Sequence, residues 1–252
     1  MRKAIFFAAA FLPLFAVSCG GGTEPVTEEA SVTEPPAPEP DWLELTETSS
    51  WQEERGTWAI AGSVSLDSDD DAKLAFEAGE GIWVNGPEGK TVDLHSAMNH
   101  GDVEAHIEFM VPKGSNSGLY FQSRYEVQIF DSWGVEEPTF SDCGGIYQRW
   151  KDGQGFEGHP PRKNASRAPG EWQSFDVVFR APRFDSAGNK TENARFVKVI
   201  HNGVVVHEDV ELTGPTRAAT FEDEVAAGPL MVQGDHGPVA FRNARIKKIE
   251  LD

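Results

Sequence analysis

From Trp42 to the end the chain alternates apolar and polar residues with a period of two, in short runs set off by Gly, Pro, Asn and Asp. Runs at 57–60, 81–84, 103–110, 117–130, 174–179, 196–206 and 239–251 predict strands, because successive side chains of a strand leave on opposite faces. The sharpest turn signal is Asn202-Gly203 between two β-branched runs, since both residues tolerate the positive φ angles of a type I′ hairpin. A 3.6-residue repeat never holds for three turns, so no long amphipathic helix is expected. The pattern predicts an all-β sandwich of jelly-roll type, a single domain over residues 42–252, with a loop-rich stretch around Pro138 to Pro169.

The first 41 residues break this pattern. A basic head (Arg2, Lys3), an apolar run from Ala4 to Val17 and then small residues have the layout of a secretory signal over residues 1–19. The apolar run falls short of the ~20 residues that span a bilayer comfortably. Phe15-Ala16-Val17-Ser18-Cys19, followed by three glycines, resembles a bacterial lipoprotein box, in which Cys19 is lipidated and becomes the first mature residue. Residues 20–41 carry five prolines, six acids and no aromatic residue. They bury too little apolar surface to offset their ordering entropy and are expected to form a disordered tether. The expected address is the bacterial cell envelope, with membrane contact only through the N-terminal lipid.

Acids outnumber bases 41 to 22 in the whole chain, a net charge of −19. Setting aside the six acids and two bases before Trp42 leaves 35 against 20, or −15, so the folded part is acidic in its own right. No cationic face exists to neutralise a phosphate backbone, which makes nucleic acid an unfavourable partner and suits a neutral or cationic soluble one. With Cys19 assigned to the lipid, Cys143 is the only thiol of the domain; a disulfide scaffold is excluded and the lone cysteine reads as a small core residue. Asp67-Ser-Asp-Asp-Asp71 invites a calcium reading, but an EF-hand loop would then carry Ala72 at its sixth position and Ala78 at its twelfth, so a solvated turn is expected.

Several catalytic signatures are missing. Gly114-Ser-Asn-Ser-Gly118 has the frame of a nucleophile elbow, yet its central residue is Asn116. The seven histidines include no His-Glu-x-x-His pair. The informative stretch runs from Gly118 to Trp133. On one strand Glu126 and Gln128 project together about 6.7 Å apart, opposite an apolar Val127 and Ile129, with Arg124 in reach if the strand continues through Ser123. A β-bulge at Ile129-Phe130 would bring Asp131 round to Glu126. A half-exposed strand with a solvated polar face is the competing reading. In a second cluster, Gly234 and Gly237 flank His236 and allow it to point into a cleft. Alternation places Arg242 with Ala240, Ala244 and Ile246, where its guanidinium needs either a carboxylate or a ligand oxygen.

Asn116-Ser-Gly118, Tyr125-Glu-Val-Gln-Ile-Phe-Asp131-Ser, Gly145-Ile-Tyr147, Pro169-Gly-Glu-Trp172, the Asn202-Gly203 hairpin and Gln-Gly-Asp-His-Gly followed by Phe-Arg-Asn occur in one order. Together they resemble the 3-keto-disaccharide hydrolase family, also described as 3-keto-glucoside-1,2-lyase/3-keto-2-hydroxy-glucal hydratase domains, over residues 51–251. The resemblance implies a concanavalin A-like jelly roll and a carbohydrate substrate. It also implies removal of the acidic C2 hydrogen beside a C3 ketone, loss of the C1 substituent and hydration of the resulting 2-hydroxyglucal. Where laminarinase-type enzymes of similar fold carry Glu-x-Asp-x-x-Glu, this chain has Glu126-x-Gln128-x-x-Asp131, which disfavours ordinary glycoside hydrolysis by two carboxylates. On this reading Glu126 and His236 are base and acid in either order, and Asp131 is a third catalytic candidate. Arg242 or a bound divalent cation polarises the ketone. Arg124, Gln128, Tyr147 and Gln233 grip hydroxyls, and Trp133 stacks on a sugar face. The alternative is a non-catalytic carbohydrate-binding sandwich carried by a lipoprotein.

Overall fold

The computed structural model describes residues 42–252, whose regular structure is almost entirely antiparallel strand. In chain order these are β1 (Leu43–Glu44), β2 (Ala59–Leu66), β3 (Leu74–Val84), β4 (Leu94–His100), β5 (Val103–Met110), β6 (Asn116–Phe121), β7 (Tyr125–Phe130) and β8 (Arg149–Lys151). There follow β9 (Gln154–Phe156), β10 (Gln173–Arg180), β11 (Arg183–Phe184), β12 (Lys190–Glu192), β13 (Ala194–His201), β14 (Val204–Leu212), β15 (Gly228–Val232) and β16 (Ala240–Lys248). One 3-10 turn, Thr48–Ser50, is the sole helical element among the described residues. The signal, the lipidation at Cys19 and the tether lie outside them.

A larger sheet runs β14-β13-β10-β5-β16-β3-β2, with β1 beside β16. A smaller one runs β4-β15-β6-β7 and is widened by single bridges from Val127 to Ile146 and from Ile146 to His159. Their inner faces close on one apolar core. Leu119, Phe121, Tyr125, Val127, Ile129, Leu230 and Val232 of the smaller sheet meet Ile107, Phe109, Phe175, Phe179, Phe196 and Phe241 of the larger. This is the expected jelly-roll sandwich, built because alternate residues of each strand are apolar. The Asn202-Gly203 hairpin joins β13 to β14 with φ of 50° and 78°. Cys143 lies in the core, where burial pushes its thiol up to about 12 and leaves it inert. Asp67 accepts the backbone N–H of Asp69 and Asp70, closing its own solvated turn.

Two features differ from the sequence reading. Residues 117–130 form a hairpin rather than one strand: Gln122 and Ser123 both take left-handed φ, 54° and 57°, and the Arg124 N–H closes the turn on the Phe121 carbonyl at 3.0 Å. The second difference is in β16. Its pairing with β5 shifts between Arg242 and Arg245, around Asn243 at φ 50°. Ala244 and Ile246 therefore turn into the core, while Ala240 and Arg242 lie on the outer face of the larger sheet. At the start of the domain Trp42 packs beneath Arg245 on that same outer face, with the guanidinium 5.0 Å from the ring centre.

Three histidines are buried without charge: His100, His201 and His207, each pushed down to about 4 chiefly by desolvation. An unfolded histidine titrates near 6.5, so between about pH 6.5 and 4 the unfolded chain binds protons that the fold does not. The contribution of these three histidines to stability is fully present above pH 6.5 and declines toward pH 4. Urea unfolding at pH 7, 5.5 and 4.5 should show a falling midpoint. His207→Gln, which keeps a donor for the Gly144 carbonyl now bonded at 2.7 Å, should flatten the decline.

Candidate active site

The β6–β7 hairpin decides what stands on the outer face of the smaller sheet. Its register pairs Tyr120 with Glu126 and Gly118 with Gln128. On β15, Met231 lies opposite Tyr120 and also opposite His95 of β4, and the Tyr147 N–H reaches the Glu126 carbonyl. One row across the sheet thus reads His95, Met231, Tyr120, Glu126, Tyr147. The next holds Gln233, Gly118 and Gln128, with the Gln233 N–H on the Gly118 carbonyl at 2.9 Å. The Oε1 atom of Gln128 is buried and has no partner.

Glu126 is only 3% exposed. Desolvation pushes its carboxyl up to about 8, against the neighbouring Tyr120 hydroxyl, and the charge of Asp93 adds to the rise. Tyr120, 1% exposed, is held protonated by burial and by the charge of Glu126. Gly118 makes this packing possible. A methyl group there would stand 2.4 Å from Glu126 Oε1 and 2.7 Å from Tyr120 Cε2, and the backbone itself does not demand glycine.

Beside the row lies a cleft of about 350 Å³ lined by Asp93, His95 and Asp235 with Gln52, Glu54 and Thr220. Burial raises Asp93, which accepts the Gly234 N–H at 3.0 Å. Burial also lowers His95, so its ring is uncharged at neutral pH. The tautomer follows from its neighbours. Ser123 Oγ donates to the Pro229 carbonyl at 3.0 Å, so the 3.0 Å contact between His95 Nδ1 and Ser123 Oγ places the hydrogen on Nδ1. His95 Nε2 then carries the lone pair. His236, half exposed, pairs through Nδ1 with Asp235, and the charge of Asp235 adds to the rise of Asp93 while nearby His236 opposes it. Asp93 is the shared neighbour that links Glu126 to His236.

The structure brings Glu126, Gln128, Tyr147 and Gln233 to one face and His236 to its rim. Three expectations are corrected. Asp131 does not join Glu126: β6 and β7 stay in register to Phe130 without a bulge, and the Asp131 carboxylate accepts the Gly114 N–H at 2.9 Å. Arg124 lies past the turn, its guanidinium held by the Asp223 carboxylate at 2.6 Å and the Gln122 carbonyl at 2.7 Å. Arg242 is on the other sheet, bonded to Glu108 at 2.7 Å with Trp172 against its plane. Trp133 stands 60% exposed in the loop beyond β7. Among the described residues no three His, Cys, Asp or Glu side chains gather as metal ligands, so the residues present do not fit a preformed site for the divalent cation. Tyr120, His95 and Asp93 went unnoticed in the sequence, because each reaches the site through cross-strand pairing that no local motif announces.

Residues 43–247 match a sequence family described as the 3-keto-alpha-glucoside-1,2-lyase-like domain. The chain belongs to that family. A crystal structure of a proposed glycosyl hydrolase from Parabacteroides distasonis ATCC 8503 is 26% identical, with a TM-score of 0.63, covering 88% of this chain and 95% of that one. A second from the same organism, at 17% identity and a TM-score of 0.55 over 83% and 100%, shares the fold. No curated protein matches by sequence. This 3-keto-alpha-glucoside-1,2-lyase-like domain carries a strongly desolvated carboxyl, Glu126, at the heart of the smaller sheet.

Two variants probe that carboxyl. The folded group binds a proton up to about pH 8 and the unfolded one only to about 4.5, so Glu126 favours the fold below 4.5 and this support is lost as pH rises through 8. Glu126→Gln should therefore raise the thermal midpoint at pH 8.5, by on the order of 2–4 °C for each kcal/mol relieved, and leave it little changed at pH 4.5. Gly118→Ala should keep the fold by circular dichroism yet lower kcat about a hundredfold by displacing Glu126.

Proposed function

We propose that this carbohydrate-active enzyme cleaves 3-keto-glucosides by elimination and hydration on the outer face of the smaller sheet, and that the chain is exported and anchored through Cys19. The observation that carries the reading is Glu126: a carboxyl 3% exposed, protonated at neutral pH, in a row that ends at an uncharged His95. So deep a group can exchange a proton but is poorly placed to attack a sugar carbon, and the second carboxylate expected at Asp131 is elsewhere.

The backbones of β4 and β7 are three strand spacings apart, about 14 Å, and of the residues in the row His95 lines the cleft itself. His95 Nε2 takes the C2 proton, made acidic by the C3 ketone. The electron pair moves to O3, where the Tyr120 hydroxyl, kept protonated, donates a hydrogen bond to the enolate. The C1–O1 bond breaks and Glu126 gives its proton to O1. In the hydration step the Glu126 carboxylate takes a proton from water as it adds to C1, and the His95 imidazolium returns a proton to C2. Both groups end as they began. Gln128 and Gln233 supply hydrogen-bonding partners for ring hydroxyls. His236, oriented by Asp235, is the second candidate for the base.

The test is incubation with a 3-keto-glucoside and its parent glucoside. Aglycone should leave the keto compound alone, and Glu126→Gln should lower kcat by ~10²–10⁴-fold. Of His95→Asn and His236→Asn, the one that matches this loss marks the base. Because His95 must be uncharged and Glu126 protonated, the rate should fall on the acid side at a pH beneath the ordinary histidine value and again above about pH 8. Equal cleavage of both compounds would overturn the assignment; sugar binding without turnover would favour the non-catalytic alternative.

A further inference from the structure

Most large apolar side chains of the domain are buried, yet Trp150 and Phe221 are 46% and 41% exposed and line one groove of about 350 Å³. Each ring is backed by a guanidinium on one side: Arg217 sits 4.0 Å from the Trp150 ring centre and Arg124 4.6 Å from that of Phe221. The rings are thus held in place. Trp150 comes from the β8–β9 hairpin and Phe221 from the segment 213–227, which straps across the β6–β7 turn. The Thr216 N–H donates to the Arg124 carbonyl at 2.9 Å, Thr220 to Ser123 at 3.1 Å and Arg217 to Gln148 at 2.8 Å. The groove is therefore built on the turn that registers Glu126. It also adjoins the cleft, because Ala219 lines the groove and the next residue of the strap lines the cleft. Thr220, on the same strap, lines the catalytic cleft.

We infer that this groove is the leaving-group subsite, and that the natural aglycone presents a flat, uncharged ring, a second pyranose or an aryl group, to Trp150 and Phe221. The inference rests on the catalytic reading above, since Glu126 protonates the departing oxygen and the aglycone must lie beyond it. A volume of about 350 Å³ suits a ring-sized ligand and not a protein partner. Of the charged groups on its walls, Arg149 is paired with Glu157 and Arg217 lies against the Trp150 ring, which leaves Glu222 to disfavour an anion.

The experiment separates the groove from the chemistry by measuring binding in the Glu126→Gln protein. The ligands are the methyl and phenyl 3-keto-glucosides and a 3-keto-disaccharide, titrated by calorimetry, with turnover of each by the unmutated protein measured alongside. One ring-bearing ligand should bind about tenfold more tightly than the methyl compound, on the scale of one aromatic stacking contact. Adding Trp150→Ala or Phe221→Ala should abolish that preference and leave methyl binding unchanged. Whether phenyl or sugar shows it tells which ring the aglycone carries. Equal affinities, a preference that survives both substitutions, or no binding of any compound would overturn the inference. A ring preference lost with Trp150 but without turnover of any compound would uphold the groove and sink the reaction.

Discussion

The pairing of Tyr120 with Glu126 is the constraint on which the site depends, and it is set by two left-handed residues at Gln122 and Ser123. A slip of one residue would turn Glu126 and Gln128 inward and Tyr125 and Val127 outward. Neither turn residue is glycine, so the conformation costs roughly 1–2 kcal/mol at each. Contacts from the rest of the fold offset it: the Gln122 N–H donates to His100 Nε2 at 3.1 Å, and Ser123 Oγ to the Pro229 carbonyl. The second contact also orients the Ser123 hydroxyl that dictates the His95 tautomer. One turn thereby places Glu126, fixes the His95 tautomer and anchors the strap that walls the neighbouring groove.

The proton on Glu126 depends equally on what is kept away from it. Arg124 and Arg242 are both committed to other carboxylates, so no guanidinium stands against Glu126 to pull its carboxyl toward the anion. Had Arg124 turned toward Glu126, the pair would have been ionised and the proton donor lost. The acidic character of the cleft works in the same direction, since Asp93, itself raised, further disfavours a second negative charge. A carboxyl buried in this way weakens the fold at alkaline pH in exchange for a usable proton.

Much of the sandwich was legible because strand alternation and the Asn202-Gly203 turn are local properties. The hairpin at Gln122–Ser123 was not, since its residues carry no turn signature and are held by partners about 20 and 106 positions away. That one omission accounts for most of what was misread around Glu126. With 117–130 taken as a single strand, Tyr120 could not be seen opposite Glu126, Arg124 fell on the wrong side of a turn, and a bulge was needed to bring in Asp131. Arg242 was misplaced for a related reason: the irregularity at Asn243 interrupts the alternation by which its face was assigned. Glu126 and Gln128 were found because their polar side chains alternate with core residues, and that signal survives whichever strand lies alongside; Gln233 came with the family resemblance.

The position of Trp42 has a consequence for how the domain meets its surroundings. Packed under Arg245, it brings the polypeptide in along the outer face of the larger sheet, whereas the cleft opens on the outer face of the smaller one. The start of the domain and the cleft therefore occupy opposite faces of the sandwich, so neither crowds the other.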